Sequence, residues 1–191
     1  MSPITHLLVG WLVAQVPSGI QRRERAIIAL AGIAPDLDGL GIVAEVLTEH
    51  SDTPLLWYWQ YHHTLLHNLG GAFLMAVVAA LLATRRRWLV VLLAEVSFHL
   101  HLLGDIVGSK GPEGHQWPIP YLLPFSDSWQ LTWSGQWELD AWQNLAITAV
   151  CIGATLLLAV RRGYSPVELV SLQMDAALVT SLRSRFRSSE E

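Results

Sequence analysis

The chain has 191 residues, 52% of them hydrophobic and only 15% charged. Its mean hydropathy of +0.37 lies between that of soluble enzymes and that of dedicated membrane bundles. A formal net charge of -4 leaves no basic surface for nucleic acid, and the lone Cys151 excludes both an internal disulfide and a cysteine metal site.

The length fits one domain with its own core. The first apolar segment, residues 4–16, carries Thr5, His6 and Gln15 and is closed by the breaker cluster Pro17, Ser18 and Gly19. Arg22, Arg23 and Arg25 follow that segment rather than precede it, unlike a secretory leader, so no cleaved signal is expected. Residues 26–34 continue in helical character up to Pro35, which biases the residue before it out of a helix. Asp36 and Asp38 therefore fall at or just past a helix end. Residues 45–61 mix His50, Asp52 and Pro54 with Trp57, Tyr58 and Trp59, as a surface loop or short helix would.

His62, His63 and His67 then lead into an apolar helix over 69–84, ended by Arg85, Arg86 and Arg87. The next helix, 88–105, has Glu95, His99, His101 and Asp105 as its polar members, and the two helices form an antiparallel hairpin. Residues 108–139 hold four prolines and Trp117, Trp129, Trp133 and Trp137. So long a connection with so much tryptophan reads as an ordered wall or lid over a site. Residues 141–160 form the longest apolar helix, stopped by Arg161 and Arg162. Ser165, Pro166 and Glu168 start a C-terminal amphipathic helix suited to a membrane or protein surface. No period-two alternation is sustained, so the expected fold is all-α. It is an up-and-down membrane bundle of about five apolar helices (1–163, including the loop 108–140), followed by an amphipathic unit at 164–191.

Alternating helix directions sort the special residues by end. His6, Asp36, Asp38, His62, His67, His101 and Asp105 gather at one end of the bundle, and the three arginine clusters of its helices gather at the other. Arginines at one end fit the positive-inside bias and place the His/Asp end on the non-cytoplasmic side. Helix length sets a limit: residues 69–84 span about 24 Å at about 1.5 Å per residue, short of the roughly 30 Å hydrocarbon core. The shorter helices must then gain length from the polar segments that hold the histidines.

Imidazole and carboxylate without thiolate suit zinc, manganese or iron. Seven candidates exceed the three or four ligands of a single tetrahedral zinc, so two ions with a bridging aspartate are expected, and hydrolysis is the reaction that follows. Simpler readings stand beside each residue. His101 and Asp105, four apart, could form a local helix-end hydrogen bond; Asp36 and Asp38 could only terminate a helix; His6 could be interfacial. His50 and His115 read as solvated, and His99 as a partner of Glu95 or the backbone.

The order of motifs resembles a family, the metal-dependent hydrolases of the bacterial inner membrane, also described as LexA-regulated or LexA-binding. The similarity rests on Thr5-His6-Leu7-Leu8, Ala34-Pro35-Asp36-Leu37-Asp38, the His62–His67 element, and His101 with Asp105 ahead of a glycine- and proline-rich stretch. It covers roughly the first two thirds of the chain. The resemblance implies a metal site of His6, Asp36, Asp38, His62, His67, His101 and Asp105, and an activity distantly similar to that of zinc phospholipases C. One departure matters, since His63 stands where the family usually has arginine; it is the residue expected to contact substrate, with a weaker hold on phosphate than arginine has. On a helix His63 and His67 would share a face and His62 would not, so either His62 folds back to the metal or the ligand has shifted to His63.

The function expected is a membrane-bound hydrolase of phosphate esters or lipid-like substrates, using one or more divalent ions. Its alternatives are a non-enzymatic metal-binding or metal-transporting membrane protein, and a purely structural bundle.

Overall fold

The computed structural model describes residues 1–111 and 115–187. Its helices are α1 (Pro3–Val13), α2 (Arg22–Ala31), α3 (Gly41–Thr48), α4 (Trp57–Tyr61), α5 (Leu69–Leu82), α6 (Arg87–Gly108), α7 (Trp142–Arg162) and α8 (Leu172–Arg187). Two 3-10 helices, Pro35–Leu40 and Pro166–Leu169, complete the regular structure. Among the described residues there is no strand, only isolated bridges joining Lys110 to Glu138 and Ile119 to Leu131. The all-α expectation holds.

Local chemistry sets the boundaries. Ser2 caps α1 by accepting from the Thr5 amide (3.2 Å), with Pro3 at the first helical position. Asn68 caps α5 by accepting from the Gly71 amide (3.0 Å). α7 ends at Gly163, whose φ of +85° is the left-handed conformation glycine tolerates, with Arg161 and Arg162 in the last turn.

α6 is the central helix and packs against α1, α2 and α5, while α7 joins the bundle through α1. Ile27, Ile28, Ala79, Val90 and Ala94 form the main apolar core. Two glycines let α1, α2 and α6 approach closely: a Cβ on Gly10 would lie 2.8 Å from the Ala29 carbonyl, and one on Gly32 would lie 2.8 Å from the His6 carbonyl. This approach brings His6 of α1 over His101 of α6.

Five membrane-scale helices were expected, and here the structure corrects the sequence reading. Among the described residues only α6 and α7 are, as single helices, long and apolar enough to cross a membrane. α2 with the segment Pro35–Thr48 makes a third candidate, bent by 61° at its break. α1 and α5 have 11 and 14 residues, and neither gains length from its polar flank. The reason is at residues 62–68, which form turns rather than helix: His63 has a φ of +65° and Asn68 starts α5.

The arginine ends behave as a unit. Arg86 donates to the Ser18 carbonyl (2.8 Å) and Arg162 to Gln15 (3.1 Å). Arg25 is ion-paired with Glu168 at 2.5 Å, both buried. Glu168 thus reaches across to α2 instead of back to its own helix start. Ser165 caps only the 3-10 helix, and α8 begins later, at Leu172, with Asp175 accepting from the Ser165 amide (2.8 Å).

Candidate metal centre

Four pieces of chain meet at the end opposite the arginines: the start of α1, the Pro35–Leu40 3-10 helix, the turns 62–68 and the last turns of α6. Asp36, His67, His101 and Asp105 each place a ligand atom there, all within 4.8 Å of one another. His67 Nε2 lies 3.1 Å from His101 Nε2 and 3.4 Å from Asp105 Oδ2. His101 Nε2 lies 2.9 Å from Asp105 Oδ2 and 3.6 Å from Asp36 Oδ1. These separations bracket about 3.3 Å, the edge of a tetrahedron whose donors stand about 2.0–2.1 Å from its centre.

Hydrogen bonding decides where the protons sit. His67 Nδ1 faces Asp38 Oδ2 (3.0 Å) and His101 Nδ1 faces the Gly32 carbonyl (2.8 Å). Both partners only accept, so both Nδ1 atoms donate, and the two Nε2 atoms carry lone pairs in the neutral imidazoles. Once His67 has lost its second proton, two imidazole lone pairs and two carboxylate oxygens converge there. Asp105 Oδ2 and Asp36 Oδ2 are buried without a hydrogen-bond partner among the described residues. The residues of this set could hold a divalent ion.

The two oxygens of Asp105 have different surroundings. Oδ1 takes the Ser109 hydroxyl (2.6 Å), His6 Nε2 (3.2 Å) and the Met1 ammonium, leaving Oδ2 for the cluster. Gln136 holds the Asp105 carbonyl (2.8 Å) from the long loop. His6 also stacks on His101 at 3.7 Å between ring centroids.

Asp38 sits behind the cluster. Its Oδ1 accepts from His62 (2.8 Å), and its Oδ2 accepts from His67 (3.0 Å) and the Leu66 amide (3.1 Å). Asp36 and Asp38 part ways because a 3-10 helix has about three residues per turn, so positions two apart lie about 120° from each other around its axis and face different partners.

His62, His63 and His67 form a second group within reach of one ion. The helical-face argument for this trio does not apply, because none of the turns 62–68 is α-helical. His63 Nε2 stands 3.9 Å from Asp105 Oδ2, and its Nδ1 is buried without a partner among the described residues. Burial pushes the His63 imidazole down to about 3, against the pull of Asp105, so it is neutral at pH 7. Burial also acts on His67, but its hydrogen bonds to Asp105 and Asp38 outweigh it and raise the ring to about 9 while no ion competes. Burial and the Asp36, Asp105 and Asp38 charges push Tyr58 up to about 12.

The cluster opens on a cleft of about 820 Å3 lined by Asp36, His62 and Asp105 together with Tyr58, Lys110 and Trp117. Trp117 packs its ring on His62 (5.1 Å) and His63 (4.9 Å), so the long loop does wall the site. The sequence reading missed Tyr58, Ser109, Lys110 and Gln136. Only the chain's single lysine carried a signal that could have flagged one of them.

Residues 1–184 match the sequence pattern of the YdjM inner membrane protein family. The chain belongs to that family. No curated protein and no solved structure matches it. As a YdjM family member with helices able to span a bilayer, the chain is an inner-membrane protein. The match covers both the site-bearing bundle and the α8 segment. The remaining histidines stay outside the cluster: His50 and His115 are exposed, and His99 donates or accepts between the Glu95 carbonyl and the Tyr121 hydroxyl, 2.8 Å from each.

Proposed function

We propose that this YdjM family member is a membrane-bound, metal-dependent hydrolase of phosphate esters. The observation that supports it is the convergence of four potential ligand atoms, two imidazole nitrogens and two carboxylate oxygens, at the wall of an 820 Å3 cleft. An ion held there supplies Lewis acidity, raising the acidity of a water and polarising a phosphoryl oxygen.

Asp36, His67, His101 and Asp105 hold the ion. Two imidazoles and two carboxylates accept zinc, manganese or iron. Asp38 and the Gly32 carbonyl fix the two imidazoles in the tautomer and orientation that ligation requires. His6 and Ser109 occupy the other oxygen of Asp105 and keep its carboxylate from rotating. His63 is neutral and contacts the substrate side as a hydrogen-bond partner, not as a charge. His62, His63 and His67 form an alternative group, since the one lone pair of His67 serves one ion at a time. The arginine clusters lie on the cytoplasmic side, so the cleft faces outward.

The test is metal analysis of detergent-purified protein with hydrolysis of bis-p-nitrophenyl phosphate before and after chelation. Bound transition metal, turnover that chelator removes, and loss of both in His101→Ala and Asp105→Ala are the expected results. Metal without turnover, combined with metal flux into proteoliposomes, would replace the hydrolase by a metal port.

A further inference from the structure

One feature beside the cleft has no role in holding metal. α3 contains no buried residue, and Leu40, Val46 and Leu47 are 62%, 60% and 79% exposed. Its main packing is on α4 and the preceding 3-10 helix. A Cβ on Gly41 would lie 2.6 Å from the Trp57 backbone, so the start of α3 is pressed against α4. The segment that carries α3 is bent by 61° from α2 and so leaves the bundle obliquely. An apolar helix with no protein over it, in an inner-membrane chain, lies in lipid.

The residues that lead directly into α3 are cleft residues: Gly39 and Leu40, the end of the preceding 3-10 helix, line the cleft together with Leu139 and Asp140. Two residues after Asp140, Trp142 opens the membrane helix α7 and is 72% exposed, the position of an interfacial anchor. The mouth of the cleft therefore stands at headgroup depth, with bilayer against one wall.

Charge narrows the occupant. Eleven arginines, none of which lines the cleft, and one lysine are the chain's cationic side chains; Lys110 does line it, beside Asp36, Asp105, Glu138 and Asp140, while the Met1 ammonium there is committed to Asp105. The Lys110 amide is tied to the Trp137 carbonyl (3.0 Å), fixing the residue just past the end of α6 at Gly108. Its ammonium has no ion-pair partner among the described residues, although Glu138 is its bridge neighbour and is exposed.

We propose that the substrate is a membrane phospholipid, which enters from the bilayer past Leu40 and Leu139 with its acyl chains along α3. Lys110 binds the headgroup phosphate. This rests on the hydrolase reading for the chemistry, but not for the binding. Lys110 is a specificity-determining residue: it holds the phosphate that every phospholipid headgroup carries and leaves metal binding alone.

The experiment uses the full chain, zinc-loaded, in vesicles of phosphatidylglycerol and phosphatidylcholine doped with a phosphatidylglycerol that carries a photoreactive diazirine near its headgroup. Adducts are mapped by mass spectrometry. Adducts at 39–40 and 139–140 are expected above those on the outer face of α7 at Val150 and Leu157, which sample bulk lipid. Lys110→Gln is expected to lower the cleft adducts about tenfold, equivalent to about 1.4 kcal/mol. It should leave the α7 adducts and the metal content unchanged, and Lys110→Arg should restore labelling. Cleft labelling no higher than on α7, or unaffected by Lys110→Gln, overturns the proposal, as does chain-to-chain cross-linking through α3, which would assign that face to a second copy. If Lys110-dependent labelling is found and no ester of any kind is turned over, the hydrolase reading fails while the lipid site stands.

Discussion

Asp38 gives the sharpest test of how the site is held, because it touches two imidazoles and, in the proposed arrangement, no ion. Its Oδ2 takes two donors, His67 Nδ1 and the Leu66 amide, whereas Oδ1 takes only His62 Nδ1. In Asp38→Asn the amide oxygen keeps the side with two donors, so the new NH2 group points at His62. His67 then loses the charge behind it but keeps a hydrogen bond. Outer-shell partners of this kind change metal affinity about 10- to 100-fold. The Asn variant is expected at the low end, about 1.4 kcal/mol, and Asp38→Ala, which frees both rings, at the high end, about 2.8 kcal/mol. Competition with a chromophoric chelator measures both. An affinity within about threefold of wild type for Asp38→Ala would refute the role given to Asp38. Equal loss in both variants would refute the asymmetry between its two oxygens.

Other consequences follow from the same geometry. His67 is held protonated to about 9 without an ion, so ion binding at pH 7 should release about one proton, and the release should fade above pH 9. Calorimetry in buffers of different ionisation enthalpy reads this; no buffer dependence would contradict it. Gly32→Ala places a Cβ 2.8 Å from the His6 carbonyl and should cost about 1–3 kcal/mol, seen as a lower melting temperature in detergent and weaker metal retention. Arg25→Ala leaves Glu168, which is 2% exposed, without its ion pair; a loss of about 3 kcal/mol is expected, and Glu168→Leu combined with Arg25→Leu should recover much of it. His99→Ala should leave metal content unchanged, because its ring is committed to Glu95 and Tyr121.

Much of this site was legible in the sequence because alternating helix direction sorts residues by end, and only one end carries imidazole and carboxylate. The spacing of His101 and Asp105 survives as a helical pair, 2.9 Å apart. Other details depend on contacts that no spacing encodes. The roles of Asp36 and Asp38 separate only once Pro35 starts a 3-10 helix instead of ending the chain's regular structure. A shared helical face for His63 and His67, one of the two alternatives for this element, is excluded by Asn68 as a cap and by the left-handed backbone at His63. Hydropathy alone made α1 and α5 look like incipient spans, while their true ends are fixed by a Ser2 cap, an Asn68 cap and the turns that carry the ligands. Trp117, Gln136 and Lys110 come to the site from a long irregular segment, where position follows from tertiary packing and not from periodicity.

The claim at the centre is that Asp36, His67, His101 and Asp105 hold one ion. X-ray absorption at the metal edge of detergent-purified protein, alongside elemental analysis, tests it most directly. The expected spectrum has nitrogen and oxygen neighbours at about 2.0–2.2 Å, an imidazole scattering pattern and no sulfur, with at least one ion per chain. Protein that remains without transition metal after incubation with zinc, manganese and ferrous iron, or an ion unaffected by His101→Ala with Asp105→Ala, would contradict it.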